Sequence, residues 1–196
     1  MKKLKYVVPC IVLLVCTAMG QMAKTEHRTV SQVLDGGIKN VEGEFVSAAD
    51  AMPEDKYSFA PTNGEFKGVR TFAQEVKHVA AVNYMVGAAI LGEKPPVELG
   101  SENGPDSIKT KADIMKFIKD SYAYAHKAAA TIDEKNMVEP IKNPFGEGEA
   151  TRLGMATVFA WHSFDHYGQM VVYARMNNVI PPASQPAPPK DGVKKK

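Results

Sequence analysis

The chain has 196 residues, 24 Lys and Arg against 22 Asp and Glu, a formal charge of +2 and 44% apolar residues. That is enough for one domain with a proper core, and nothing in it resembles the basic stripe of a nucleic-acid-binding domain.

In chain order, the first element is an address label over residues 1–20. Lys2, Lys3 and Lys5 precede an apolar run, Tyr6 to Val15, interrupted by Pro9, and Ala18-Met19-Gly20 is a small-x-small site. These features predict a secretory signal cleaved after Gly20, and the apolar run is too short to span a bilayer. A lipoprotein reading would use Leu13-Leu14-Val15-Cys16, with a bulky Val15 where a small residue is expected, and a retained membrane anchor is the other alternative. Both cysteines, Cys10 and Cys16, fall inside this segment. The exported chain therefore has no disulfide, and any metal site must use histidine, carboxylate and water. Zinc or nickel leads among the metals that suit imidazole, followed by iron(II) or copper.

Roughly 176 residues remain after cleavage, read as one domain over 21–182 and a proline- and lysine-rich tail over 183–196, extended or disordered. Four helices are predicted. The first, over 29–52, carries Val30, Val33, Leu34, Ile38, Val41 and Phe45 at helical spacing and stops at Pro53; its Gly36-Gly37 pair is tolerable if a neighbouring helix packs close. The second, over 69–91, has Phe72, Val76, Val79, Val86 and Ile90 on one stripe and Gly92 beyond its end. The third opens at Thr110, where Thr110-Lys-Ala-Asp113 resembles a capping box with Asp in place of Glu, and runs to about Ile132. The fourth covers 150–178 and ends before Pro181-Pro182. No segment alternates clearly enough to be read as a strand.

The connections 53–68, 92–109 and 133–149 are long for a bundle. A 22-residue helix is about 33 Å long and 16 extended residues reach about 50 Å, so each connection can cross the bundle end to end. The fold class is all-α, a four-helix bundle with long crossover connections. Tyr57, Phe59 and Phe66 in the first connection either pack over an opening as a lid or plug the bundle end.

The chemistry concentrates in His162-Ser-Phe-Asp-His166. Residues four apart stack on one helical face, and here they continue the stripe Met155, Phe159, Met170, Tyr173. Two imidazoles facing a core need partners for their ring nitrogens, and a divalent metal is a common one. His78 sits about 120° from the main stripe of its helix, and taken alone it reads as a boundary histidine paired with Glu75. His126 beside Lys127 reads as a surface residue, and His27 falls near the new N-terminus.

Three stretches, Ala51-Met-Pro-Glu-Asp-Lys-Tyr57, Thr71-Phe-Ala-Gln-Glu-Val-Lys-His78 and Trp161-His-Ser-Phe-Asp-His-Tyr-Gly-Gln-Met170, together resemble a secreted branch of the DinB-like (DinB/YfiT) metalloenzyme family. The resemblance runs from about Val30 to Pro182. It implies that His78, His162 and His166 are the three metal ligands and that the bundle packs its helices out of sequence order. Characterised members of that family include metal-dependent thiol S-transferases and a thiol-dependent isomerase. Export favours hydrolysis instead, because those low-molecular-weight thiols are kept reduced inside the cell. Three neutral imidazoles leave open coordination positions, the mark of a catalytic site. Glu75 and Asp165 are candidates for orienting an imidazole, or else ordinary surface carboxylates. The expected function is an exported metal-dependent transferase or hydrolase acting on a small molecule. The alternatives are a non-enzymatic metal- or small-ligand-binding bundle and a plain scaffold. No nucleic acid and no membrane span after signal removal are expected, and a homodimer is left open.

Overall fold

A computed structural model describes residues 27–186. The signal over 1–20, its cleavage point after Gly20 and the tail beyond Pro186 lie outside the described residues. Four helices carry the fold: α1 (Val30–Ala51), α2 (Phe72–Leu91), α3 (Lys111–Ala129) and α4 (Arg152–Met176). No helix among the described residues is long and apolar enough to cross a membrane.

Each helix starts on a threonine, which leaves one oxygen free to accept an otherwise orphaned backbone N–H. Thr29 and Thr71 form full capping boxes with Gln32 and Gln74, whose amide oxygens accept the threonine N–H at 2.9 and 2.8 Å. Thr110 forms only half of one. Its oxygen accepts the Asp113 N–H at 3.1 Å, but the Asp113 carboxylate accepts from the Thr110 hydroxyl at 2.7 Å. Aspartate is one methylene too short for the reach glutamate makes to the backbone. α4 begins two residues later than expected, because residues up to Thr151 belong to a strand.

The helices pack in the ring order α1–α3–α2–α4, so chain neighbours α1 and α2 face each other across the diagonal, as do α3 and α4. Hydrogen bonds at the ends fix the directions. Lys111, which opens α3, donates to the carbonyls of Asp50 and Met52 at the end of α1, at 2.5 and 3.0 Å. Arg152, which opens α4, donates to the Ile90 carbonyl at the end of α2. At the far end Tyr124 of α3 donates to Glu93 just past α2 at 2.7 Å. α2 and α3 therefore run parallel, with α1 and α4 antiparallel to them. A parallel pair needs a connection that returns the length of the bundle, and residues 92–110 are that crossover.

Close approach of α2 to α3 occurs at Gly87, where any Cβ would lie 2.7 Å from the Tyr124 ring. The pair Gly36-Gly37 has no such reason: a Cβ at either position would meet nothing within 4 Å. The core between the helices is aliphatic and aromatic, with Phe45, Phe72, Ile118, Tyr122, Phe159 and Met170 fully buried.

The first connection plugs the bundle end. Tyr57 is buried, donates to the Ala49 carbonyl at 2.7 Å and meets Phe72 edge-on, while Phe59 meets Tyr173 in the same way. Phe66 stays exposed. The third connection holds the departure from the all-helical expectation. Strands β1 (Pro140–Lys142) and β2 (Glu149–Thr151) pair antiparallel with Ile141 opposite Ala150. Three residues are too few for alternation to be legible in a sequence. The start of the expected tail is also ordered: Pro182–Ser184 forms a 3-10 turn against α1, and Arg175 donates to Ser184 at 2.9 Å.

Candidate metal centre

α2 delivers His78, and α4 delivers His162 and His166 one turn apart. The three side chains meet between the helices, each offering a ring nitrogen, with these atoms all within 4.8 Å of one another. His78 and His162 face each other Nε2 to Nε2 at 3.1 Å, and the His166 ring lies 4.7 and 4.5 Å from those two, centroid to centroid.

The outer nitrogens set the tautomers. A carbonyl oxygen can only accept, so His78 Nδ1 donates to the Glu102 carbonyl, at 2.5 Å. His166 Nδ1–H donates to the Glu75 carboxylate at 2.5 Å. In both rings this leaves the Nε2 lone pair as the inward-facing group. Burial holds His78 below the usual imidazole range. It pushes His162 down to about 3, helped by the neighbouring imidazoles and by the Arg70 guanidinium. A neutral His162, whose Nδ1 has no partner, either donates its Nε2–H to the His78 Nε2 lone pair or turns a bare Nε2 toward a cation shared with the other two rings. Tetrahedral ligands about 2.05 Å from one ion stand about 3.3 Å apart, close to the spacing seen here. The donor set therefore fits a divalent metal.

Glu75 is 1% exposed and is the carboxylate behind the centre. It orients His166 on the facing helix, across a sequence separation of 91, rather than His78 one turn away. Asp165, the other candidate, is an exposed carboxylate. His162 Nδ1 is buried with no hydrogen-bond partner among the described residues. The Glu102 carbonyl is not legible in the sequence, because a backbone oxygen has no residue signature. Lys77 and Arg70 carry no such signal either. The buried Lys77 donates to the Pro105 and Ile108 carbonyls at 2.9 and 3.3 Å, anchoring the crossover next to His78. Gly104 lies against Lys77 with φ +77, and a Cβ there would stand 2.5 Å from the Lys77 Cβ. Arg70 lies 3.6 Å from the Glu102 carboxylate, on the same crossover.

His126 is not a free surface residue. Its Nδ1 meets Asp35 at 2.7 Å and its Nε2 meets Glu42 at 3.1 Å, which ties α3 to α1. His27 is exposed ahead of α1.

Four helices ringed out of sequence order, with three imidazoles converging between α2 and α4, define a helical bundle with a candidate metal site. The sequence matches the DinB superfamily over residues 38–170, and the chain belongs to that superfamily. Its structure is similar to that of a DinB-like protein from Bacillus cereus, with a TM-score of 0.62 at 13% sequence identity, covering 79% of this chain and 96% of that one. At that identity the likeness bears on the fold alone. No curated protein matches the sequence.

Proposed function

We propose that this protein is an exported, metal-dependent enzyme, a transferase or hydrolase, with a divalent ion held by His78, His162 and His166. Zinc or nickel suits the three imidazoles first, and iron(II) or copper next. The observation that carries this reading is the pair of Nε2 atoms facing each other at 3.1 Å with the outer nitrogen of His78 already committed as a donor. A bound ion would supply Lewis acidity at its open positions, lowering the pKa of a water or thiol so that a nucleophile exists near neutral pH. The protein's own groups prepare the site. Glu75 holds the His166 ring, the Glu102 carbonyl holds His78, and burial keeps His162 neutral and ready to ligate.

The deciding experiment is elemental analysis of the purified protein beside a His162→Ala variant. One equivalent of metal is expected in the wild type and a small fraction of that in the variant, with the helical circular dichroism retained. Metal in neither protein would leave the histidines as packing residues. Export has its own check: intact mass of protein from the native envelope should begin at Gln21, and a full-length chain in the cytosol would refute it.

A second reading, a non-enzymatic ligand-binding bundle, is favoured by one observation. The cavity beside the triad is lined by no acid or base except the two histidines and an outward-turned Glu102. Turnover of thiol-reactive electrophiles and of esters, with and without added thiol, separates the two.

A further inference from the structure

The triad is lopsided in its surroundings. His166 is backed by buried Glu75, whereas His78 and His162 edge onto a cavity of about 570 Å3. α2 lines it with Val82 and Met85, on the turns beyond His78. α4 adds Met155, Val158 and Trp161, and the third connection adds Phe145. The crossover closes the remaining side from Leu99 to Glu102. Glu102 is the one carboxylate among the lining residues, and its side chain is 90% exposed and turned toward Arg70.

Away from the two histidines, walls of thioether, aromatic and aliphatic carbon give a charged group no counter-ion, so burying a charge there is costly. An apolar body loses nothing by entering. Trp161 and Phe145, both large and at least half exposed, stand at the cavity on separate segments. The Trp161 ring also meets His162 edge-on at 5.9 Å. Two exposed aromatic side chains at one cavity are what a flat ligand would cover.

We infer that the cavity takes a small molecule with an uncharged aromatic or branched apolar body, its metal-binding polar head directed at His78 and His162. The head rests on the proposed metal centre, but the body is read from the cavity walls alone.

The test has two arms. In the first, metal-free protein is titrated with N-phenyl-1-naphthylamine, a neutral apolar fluorophore. Trp161 is the only tryptophan in the chain, so its emission reports on the cavity. Probe emission should rise and saturate at one equivalent while Trp161 emission falls. Phe145→Glu, on an exposed loop and so without effect on the helical circular dichroism, should weaken binding about tenfold or more. Absence of saturable binding, or equal binding by the variant, overturns the inference whatever the metal content. In the second arm, zinc-loaded protein is titrated by calorimetry with benzohydroxamate and acetohydroxamate, which share a metal-binding head. The aromatic compound should bind about tenfold tighter or better. Equal affinities overturn the apolar body and leave the metal centre standing. A protein that retains none of zinc, nickel, iron(II) or copper overturns the metal centre, and the naphthylamine arm still decides the cavity.

Discussion

Two histidine clusters bridge helices in this bundle, and they are built on opposite plans. Around His126 every ring nitrogen meets a carboxylate, Asp35 on one side and Glu42 on the other. Around His78, His162 and His166 the carboxylate and the carbonyl stand outside and three ring nitrogens converge within 4.8 Å of one another. The first arrangement spends both ring nitrogens on carboxylates. The second keeps ring nitrogens for whatever sits at its middle. Where the acceptors stand, rather than the number of titratable side chains, separates a candidate metal centre from a histidine bridging two carboxylates.

The comparison breaks most visibly at the ligands. His162→Ala should drop metal content from one equivalent to near zero and cost about 1–3 kcal/mol through a small cavity and lost metal linkage. His126→Ala should leave metal content unchanged. Next comes the supporting shell. Glu75→Gln keeps an acceptor for His166 but removes the negative charge, so metal affinity should fall about 10–100-fold in competition with a chelator.

Acid sharpens the contrast further. In metal-free protein, burial depresses His78 and His162, the latter to about 3. The unfolded chain therefore binds more protons than the folded one below about pH 6.5. Stability should fall as pH drops from there, the His162 share being lost by about pH 3, and a His162→Ala variant should show a shallower decline in chemical denaturation at stepped pH. Below these effects lies Gly104→Ala, which forces a side chain into a positive-φ position against Lys77. It should cost about 1–3 kcal/mol by thermal melt and loosen the crossover that holds His78. The smallest effect is the stability cost of His126→Ala, about 1 kcal/mol, since its bonds are partly exposed.

Most of the fold was legible because helices are local. Thr110 caps where its spacing to Asp113 says it should, whereas α2 starts three residues later than expected, at Phe72, because Thr71 and Gln74 close a capping box there. The triad was legible because His162 and His166 share a face by periodicity and the family resemblance supplied His78. What escaped depends on how helices are turned against one another. Glu75 reads as the neighbour of His78 along α2, yet it accepts from His166 on the facing helix α4. His126 reads as exposed beside Lys127, yet α1 brings Asp35 and Glu42 to it. The Glu102 carbonyl and the three-residue strands carry no side-chain pattern at all.

The crossover has a consequence for the order in which the molecule assembles. His78 meets His162 across 84 positions and Glu75 meets His166 across 91, and the ring of His78 is held by a strand of chain that must first travel back along the bundle. Closures of that span come late, after the helices have found one another. A metal bound there acts on a structure already formed. It should therefore slow unfolding by the full factor of its binding while leaving the refolding rate where it is in chelator.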